Sequence, residues 1–357
     1  MVTGAQATDS GSGRVSSLTE AEKSDILRPS GLSSARRPLL IVLALVVVGL
    51  LALPLAPNMQ FYYLQVIVLV FWFATLGTSW GIVGGYGGSH SVGQAAFVGV
   101  GAYTSTLLYV DHGVSPWIGM VMGMFLAGAL SVVVGYPCFR LGLRGDYFTL
   151  ATVAVGEVVY QVVNGVPGIT KGGQGIPIPY DPGALSFQFT DRRVLYYIAL
   201  ILWLVSVIVS YRIRKSRLGF EMLAVRDDEP AAARGGINIM RPKLISFVVS
   251  AVIAAAAGTF YAQFFLFIDP GSVLALTLSV QIILVAALGG MNSYLGPTLG
   301  AFILVPISQI LSDRLANYPG ADLALYGVVL VVLMFFMPFG ILGLLRNSPR
   351  WRKVIGW

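Results

Sequence analysis

Glu157 is a carboxylate in the middle of a long apolar stretch. It lies about ten residues into the stretch from Tyr147 to Asn164, and ten helical residues rise about 15 Å. An ionisable group at that depth in a membrane costs at least about 2.5 kcal/mol, so it is a candidate functional residue. Two interpretations are open: Glu157 lines a polar path through the membrane, or its protonated or hydrogen-bonded form locks two helices together.

Four other polar residues lie in or beside apolar stretches and are weaker candidates for the same path. The amides of Gln94, Gln281 and Asn292 can instead hydrogen-bond neighbouring helices, as amides in membrane helices often do. His90 lies in a glycine-rich segment, where it can contact a solute or make a structural hydrogen bond. We call these four residues and Glu157 the path residues.

The segment from Tyr211 to Lys243 carries eight of the 23 Lys and Arg residues in an otherwise apolar chain. Its middle, from Asp228 to Gly236, predicts a short helix rather than a linker. Either of its two acidic residues can cap the first turn, Pro230 is tolerated there, and the three alanines that follow favour helix. Either closing glycine can end the helix. We interpret this helix as the contact site through which another protein moves the apolar part of the chain.

Motifs for catalysis are absent from the sequence. No G-x-x-x-x-G-K-[ST] occurs, so there is no phosphate-cradling loop, and the glycine run around Lys171 lacks the required order. The one G-x-S-x-G match, Gly77–Gly81, lies inside a long apolar stretch and not at a strand-to-helix turn, so it is not a nucleophile elbow, and no H-E-x-x-H helix occurs. One cysteine and two histidines exclude an internal disulfide and a His/Cys metal cluster. A membrane enzyme therefore has no motif behind it, and no metal or other cofactor is expected on this chain.

The composition is that of an integral membrane protein. The chain has 357 residues, of which 56% are hydrophobic and 11% charged, and its mean hydropathy is +0.79. Ordinary soluble domains carry about 25% charged residues. The net charge of +7 does not indicate nucleic acid, because the basic residues lie at the ends of apolar stretches rather than along one surface.

We predict an all-α integral membrane fold of about ten transmembrane helices. A bilayer core of about 30 Å requires about 20 apolar residues of helix. Ten stretches reach or approach that length: Leu39–Ala56, Phe61–Val83, Ser91–Val110, Pro116–Pro137, Tyr147–Asn164, Val194–Ser210, Leu244–Phe267, Leu274–Leu288, Leu295–Leu311 and Leu323–Leu342.

Basic residues set the expected orientation, because they collect on the cytoplasmic side of a membrane. With ten spans and both termini cytoplasmic, 19 of the 23 Lys and Arg residues lie inside. The chain then divides into a disordered cytoplasmic tail at 1–38, a transmembrane domain at 39–345 and a basic cytoplasmic tail at 346–357. A cytoplasmic loop at 212–243 joins the sixth and seventh spans and contains the short helix.

Glycine-rich junctions occur at Gly84–Ser91 and Leu288–Pro297. Glycines let helix backbones approach closely, so tight packing is one interpretation of both junctions. The other is non-helical backbone that lines a water-filled path. The segment Gly165–Pro177 has too many turn formers for a continuous helix, and we predict it as the largest outside loop.

Five sequence segments occur in the order seen in LivM-type permeases, which the chain resembles from about Leu39 to Leu345. LivM-type permeases are the membrane subunits of ATP-driven ABC importers for branched-chain amino acids, and related members carry urea, short amides and other small solutes. The resemblance is specific for the family and not for the substrate. The five segments are the run from Gly84 to Tyr103, LRGDYFTLATVAVGE ending at Glu157, GITKGGQGI, SRLGFEMLAVRDDEPAAARGGIN and ALGGMNSYLGPTLGA.

The resemblance implies that the short helix and its flanks dock in a groove of an ATPase subunit. Its alanines would provide a small contact face, with charged residues, Glu229 among them, as polar contacts around it. Many relatives have an apolar residue where Pro230 stands, which allows the helix to begin one residue later here. The alternative is a loop anchored only by anionic lipid headgroups. We call these residues the coupling segment: Arg226, Asp227, Asp228, Glu229, Pro230, Ala231, Ala232, Ala233, Arg234, Gly235, Gly236, Ile237 and Asn238.

The resemblance also implies the partners. They are a second permease subunit of the LivH type, two ATPase subunits that bind ATP and Mg, an extracytoplasmic substrate-binding protein and the lipid of a prokaryotic inner or plasma membrane. We therefore expect a non-catalytic permease subunit that imports a small solute by alternating access. Branched-chain amino acids are the family default, and urea, an amide or a small organic acid stays open. The alternative is a self-contained secondary transporter with Glu157 as its proton or cation site.

Overall fold

The computed structural model describes residues 61–314 and the isolated positions 49, 54, 327, 328, 340 and 341. The predicted tails at 1–38 and 346–357 lie outside the described residues. The predicted spans Leu39–Ala56 and Leu323–Leu342 also lie outside them, apart from the isolated positions.

Residues 61–314 form α-helices joined by short connections and two very short strands. Two further turns are helical: a π-helical turn at Gly81–Tyr86 and a 3₁₀ turn at Gly172–Gln174. The strands are β1, Ile176–Pro177, and β2, Phe267–Ile268. The α-helices are α1, Phe61–Trp80; α2, Gln94–His112; α3, Pro116–Arg140; α4, Asp146–Gly165; α5, Pro167–Thr170; α6, Arg192–Lys215; α7, Arg217–Asp227; α8, Glu229–Arg234; α9, Met240–Phe265; α10, Pro270–Val273; α11, Leu276–Gly289; and α12, Gly296–Arg314.

The long helices occupy the eight spans predicted between Phe61 and Leu311, which confirms an all-helical membrane architecture. In the described part of the chain, five segments are long and apolar enough to cross a membrane. A sixth is added if α4 and its continuation at Pro167–Gln174, bent by 74°, count as one span. The helices α2 and α12 are present where spans were predicted but are not among these six. The total of ten spans and the side of each terminus therefore stay predictions. The qualifying segments are Tyr62–Tyr86, Pro116–Arg140, Arg192–Lys215, Met240–Phe265 and Pro270–Gly289.

The helices α2 and α9 touch along their backbones. A Cβ atom added at Gly258 of α9 would lie 2.0 Å from the Val98 carbonyl oxygen, and one at Gly101 of α2 would lie 2.1 Å from the Ala255 oxygen. The hydroxyl of Thr259 donates to the Gly101 carbonyl at 3.1 Å. Such close approach is possible because glycine has no side chain, and it allows a hydroxyl to join the two backbones.

The two glycine junctions pack against each other and within themselves. A Cβ atom at Gly85 would lie 2.0 Å from the carbonyl oxygen of Met291, and one at Gly289 would lie 1.8 Å from that of Gly296. The π-helical turn that contains Gly85 is buried throughout. Tight packing therefore accounts for Gly85 and Gly289, whereas Gly88 and Gly290 have positive φ angles that favour glycine.

The predicted turn-rich loop is broken as expected, and it contains β1, one of the two strands that an all-α prediction omits. After α4 the chain turns into α5 and then into β1, which pairs antiparallel with β2, Ile176 opposite Ile268. Gly175, with φ of +74°, lies directly before β1. Strands of two residues are too short to produce an alternating pattern in the sequence, so their pairing is visible only in the fold.

We predict that Gly258→Ala destabilises the protein, because a methyl group at this position meets the α2 backbone and not a movable side chain. Overpacking of this kind costs about 2 to 3 kcal/mol. Gly128→Ala on α3 is the matched control, since its Cβ atom would lie 3.4 Å from the nearest side-chain atom, on Val252, which is an ordinary contact. Thermal unfolding of the detergent-purified chain measures both. Equal unfolding temperatures for the two variants would contradict the packing described here.

Candidate functional site

The coupling segment begins at the end of α7, a helix that is folded tightly against the end of α6. The Ser216 hydroxyl caps α7 by accepting from the Gly219 amide at 3.3 Å. A Cβ atom at Gly219 would lie 2.2 Å from the Ile213 carbonyl oxygen, so the turn between the two helices needs glycine there. Met222 of α7 is buried in a cluster with Ile82 and Tyr86 of the π-helical turn. The region between α6 and α9 is therefore part of the packed structure and not a loose loop.

The short helix predicted within Asp228–Gly236 is present as α8. Asp228 caps it, its carboxylate accepting from the Ala231 amide at 2.9 Å. The helix ends in a left-handed residue at Gly236, φ +81°, whose amide donates to the Ala233 carbonyl at 3.0 Å. The Ile237 amide donates to the Ala232 carbonyl at 3.0 Å, which completes a Schellman ending.

Pro230 lies inside α8, at its second residue. The expectation that the helix begins one residue later is therefore wrong. Amides in the first turn of a helix have no partner within it, so the N–H that proline lacks is not missed there.

Arg226 joins the coupling segment to both glycine junctions. Its Nη1 donates to the Gly85 carbonyl oxygen at 2.8 Å and to Asn292 Oδ1 at 2.9 Å. The same guanidinium pairs with the neighbouring Asp227, Nη2 to Oδ1 at 2.8 Å. Gly88, with φ of +64°, lies against the Arg226 side chain, where an added Cβ would lie 2.6 Å from Cγ. Arg226 thus reaches into the chain, away from a docking surface.

Glu229 anchors α8 on its inner side. Its carboxylate pairs with Arg144 in the connection between α3 and α4, Oε2 to Nε at 2.7 Å, and with the ammonium of Lys243 in α9. The side chains of Glu229 and Lys243 are 15% and 9% exposed, whereas that of Arg144 is 58% exposed. A charge pair this far from water is costly to break, because it leaves the remaining charge buried without a partner. The expected role of Glu229, a polar contact around the alanine face that docks on an ATPase subunit, does not fit this inward position.

The outer face of α8 is made of small residues and one cation. Pro230, Ala231 and Arg234 are exposed, while Ala232 between them is buried. The Arg234 side chain bonds only to its own helix, Nε to the Pro230 carbonyl at 3.3 Å, among the contacts of the described residues. Asp227, Asp228, Ala233, Gly235, Gly236 and Asn238 are also exposed, and Ile237 is half-buried.

Glu157 lies on an exposed face of α4. Leu150, Ala154 and Gln161 are exposed on the same face at helical spacing. Gln161 Nε2 donates to Glu157 Oε1 at 2.6 Å, the one neighbour that holds the carboxylate in the described chain. A cavity of about 20 Å³, lined in part by Glu157 and Ser279, lies beside this face.

Gln94 lies in the interior of the helix packing. It is fully buried, and its Nε2 donates to Ser79 Oγ at 3.1 Å and to Ser250 Oγ at 3.0 Å, which ties α2 to α1 and α9. Its Oε1 atom has no hydrogen-bond partner among the described residues. These contacts are those of an amide that holds helices together.

The other three path residues lie apart from Gln94. His90 is exposed, and its backbone oxygen accepts from Thr149 Oγ1 of α4 at 2.8 Å. Gln281 is half-buried on α11, and Asn292 is exposed and bonded to Arg226. The structure therefore does not gather the path residues into one cluster, since Asn292 belongs with the coupling segment and Gln94 with the helix core.

Sequence reasoning missed the partners of Glu229. From the sequence, Arg144 and Lys243 were counted only among the basic residues that set the membrane orientation. Lys243 stands four residues into α9 and is nearly buried, and an ammonium so placed needs a carboxylate nearby. The need of the Lys243 ammonium for a carboxylate therefore indicates an ion pair, although the sequence does not say which acidic residue forms it.

Comparison with known proteins identifies the family. The model of the family described as "Branched-chain amino acid transport system / permease component" matches residues 62–338. The permease protein LivM of the high-affinity branched-chain amino acid transport system of Escherichia coli is 29% identical over 76% of this chain and 68% of that protein. LivH of the same organism is 25% identical over 68% of this chain and 82% of its own length.

A relative named for a different solute is also found. The L-arabinose ABC transporter permease protein AraH of Azospirillum brasilense is 28% identical over 67% of this chain and 68% of that protein. The family match covers most of the chain, from the second residue of α1 through α12, including the coupling segment and all five path residues. The chain is a multi-pass membrane protein that belongs to the family of branched-chain amino acid transport permease components, and within that family it is similar to the LivM type.

Proposed function

We propose that the chain is the pore-forming permease subunit of an ATP-driven ABC importer and moves a small polar solute by alternating access. One observation carries the proposal: the coupling segment is fastened to the helices on its inner side and exposes a bare face of small residues on its outer side. This is the arrangement needed by a segment that receives force from another protein and passes it to its own chain. Because the sequence has no phosphate-cradling loop, ATP hydrolysis belongs to partner subunits that bind ATP and Mg.

The charge distribution supports ten spans with both termini in the cytoplasm of a prokaryotic cell. Eight of the 23 Lys and Arg residues lie between Tyr211 and Lys243, and Arg140 and Arg144 belong to the same side. The coupling segment is then cytoplasmic, where an ATPase can reach it, and the membrane is the inner or plasma membrane. The loop between α4 and α6 then faces an extracytoplasmic binding protein.

We propose a branched-chain amino acid as the solute. The relatives named LivM and LivH support it, and the relative named for L-arabinose indicates that the solute differs among similar chains. LivM and LivH are two permease proteins named for the same transport system of Escherichia coli. This pairing favours a second permease subunit of the LivH type beside the present chain. With it, the importer contains two ATPase subunits and an extracytoplasmic binding protein.

Movement of α8 acts on the helices through two links. Through Glu229 it acts on Lys243 of α9 and on Arg144, two residues before α4 begins. Through Arg226 it acts on the end of the π-helical turn and on Asn292 between α11 and α12. Closure of the ATPase subunits would therefore change the tilt of α4 and α9, and with α4 the position of Glu157.

We predict that Arg234→Glu lowers the amount of ATPase subunit that co-purifies with the chain by several-fold, because it reverses the one cation on the outer face of α8. Arg217→Glu is the matched control, since Arg217 is 95% exposed in the same region and pairs only weakly with Glu221 at 3.5 Å. Both variants are compared with the unaltered chain at equal membrane abundance. If Arg217→Glu releases the ATPase as effectively as Arg234→Glu, the loss reflects overall charge and the docking face is assigned wrongly.

We predict that Glu229→Gln destabilises the chain by about 3 kcal/mol or more, since it leaves the Lys243 ammonium buried without its partner. Lys243→Gln in the same background should recover much of that stability, because no uncompensated buried charge remains. Solute uptake should stay low in the double variant, since the amide pair holds α8 to α9 only weakly. Thermal unfolding and uptake are measured together, with Glu221→Gln as the control, since Glu221 is 27% exposed and within residues 61–314 pairs only with the exposed Arg217 at 3.5 Å. Additive losses of stability in the double variant would show that the two residues do not interact.

We predict that Glu157→Gln lowers uptake several-fold while membrane abundance stays unchanged. Glu157 is exposed on α4 and bonds only to Gln161 in the described chain, so the substitution removes a charge without opening a cavity. Glu221→Gln controls for the loss of a carboxylate elsewhere. A fall in abundance that precedes any loss of uptake would assign Glu157 to helix packing instead of the translocation path.

A further inference from the structure

A groove of about 370 Å³ lies between the end of α3, the connection to α4, the coupling segment and the start of α9. Three cations line it, Arg140, Arg144 and Lys243, against one carboxylate, Glu229. Apolar side chains, among them that of Leu143, line much of the remainder. The groove therefore has a formal charge of +2 and a mixed polar and apolar lining, which favours an amphipathic anion as its occupant.

The three cations differ in how fully a carboxylate neutralises their charge. Lys243 is nearly buried and held by Glu229, so its charge is largely neutralised. Arg144 shares the same carboxylate but is 58% exposed. Arg140 makes no ion pair within the described residues, and its Nη1 donates to the Tyr136 hydroxyl at 2.9 Å. An anion in the groove would therefore meet Arg140 and the open side of Arg144.

A stripe of exposed apolar residues on α3 leads to this groove. Ile118, Val121, Phe125, Val133 and Tyr136 follow one another at helical spacing and are between 41% and 70% exposed. We call these five residues the α3 stripe. Aliphatic and aromatic side chains that a membrane helix leaves bare are those that contact acyl chains.

The length of the stripe places the groove at the headgroup level. Trp117 and Tyr136 begin and end the exposed region, and the 19 residues of rise between them span about 29 Å. This matches the hydrocarbon thickness of about 30 Å, and Trp and Tyr favour its two boundaries. Arg140 stands one turn beyond Tyr136, where phosphate groups lie.

We propose that the groove binds the phosphate headgroup of an acidic phospholipid whose acyl chains lie along the α3 stripe. A lipid fits better than a soluble anion, because the stripe and the groove are continuous and each meets a different part of the same molecule. The bound phosphate shares Arg144 with Glu229, so lipid in the groove supports the connection to which α8 is fastened. This inference rests on the membrane location and stands even if the proposed transport function is wrong.

The test is native mass spectrometry of the full-length chain, released from detergent after incubation with equal parts of phosphatidylglycerol and phosphatidylcholine of the same acyl chains. We expect retained phosphatidylglycerol to exceed phosphatidylcholine. Arg140→Gln should lower phosphatidylglycerol affinity about fivefold, since one cation near the surface contributes about that factor. Arg140→Lys should restore it, and Arg217→Gln, an exposed cation outside the groove, should leave it unchanged.

Several results would overturn the proposal. Equal retention of the two lipids by the unaltered chain would exclude a headgroup site, and this comparison needs no variant to fold. Equal loss in Arg140→Gln and Arg217→Gln would indicate general attraction to charge. Displacement of the lipid by an equal concentration of glycerol phosphate would indicate a site for soluble anions. Loss of the lipid when ATPase subunits are added would assign the groove to a protein interface.

Discussion

The carboxylate of Glu229, held between Lys243 and Arg144, is the interaction on which the rest of the arrangement depends. A carboxylate and an ammonium with so little exposure each need a partner of opposite charge nearby, so α8 lies where Glu229 reaches both cations. The cap at Asp228 and the Schellman ending at Gly236 make α8 a helix, but they do not decide where it lies. The ion pairs decide that, and they turn the alanine and arginine face outward.

The glycine junctions also hold the coupling segment in place, through their contacts with Arg226. The π-helical turn at Gly81–Tyr86 is a wide helical turn, a feature often found at functional sites. Its Gly85 carbonyl is the acceptor for Arg226. The close packing of Gly85 on Met291 brings Asn292 to the same guanidinium. The glycines that appear in the sequence as packing residues thus also set the position of a hydrogen-bonding group.

The parts of the fold governed by local chemistry could be predicted from the sequence. Eight helices lie where apolar stretches of sufficient length occur, and α8 lies between a capping aspartate and a left-handed glycine. What failed depends on contacts between distant segments. The inward position of Glu229 requires Arg144 and Lys243, which are 85 residues before it and 14 residues after it in the chain. The burial of Gln94 requires Ser79 and Ser250 to meet it from two other helices, and neither serine has a distinctive pattern.

The small antiparallel pair of β1 and β2 joins the chain beyond the end of α4 to the residues that follow α9. At the opposite ends of the same two helices, Glu229 joins Arg144 before α4 to Lys243 within α9. The helices α4 and α9 are thus linked to each other beyond both of their ends, which favours their moving together. Glu157 stands near the middle of α4, one of these two linked helices.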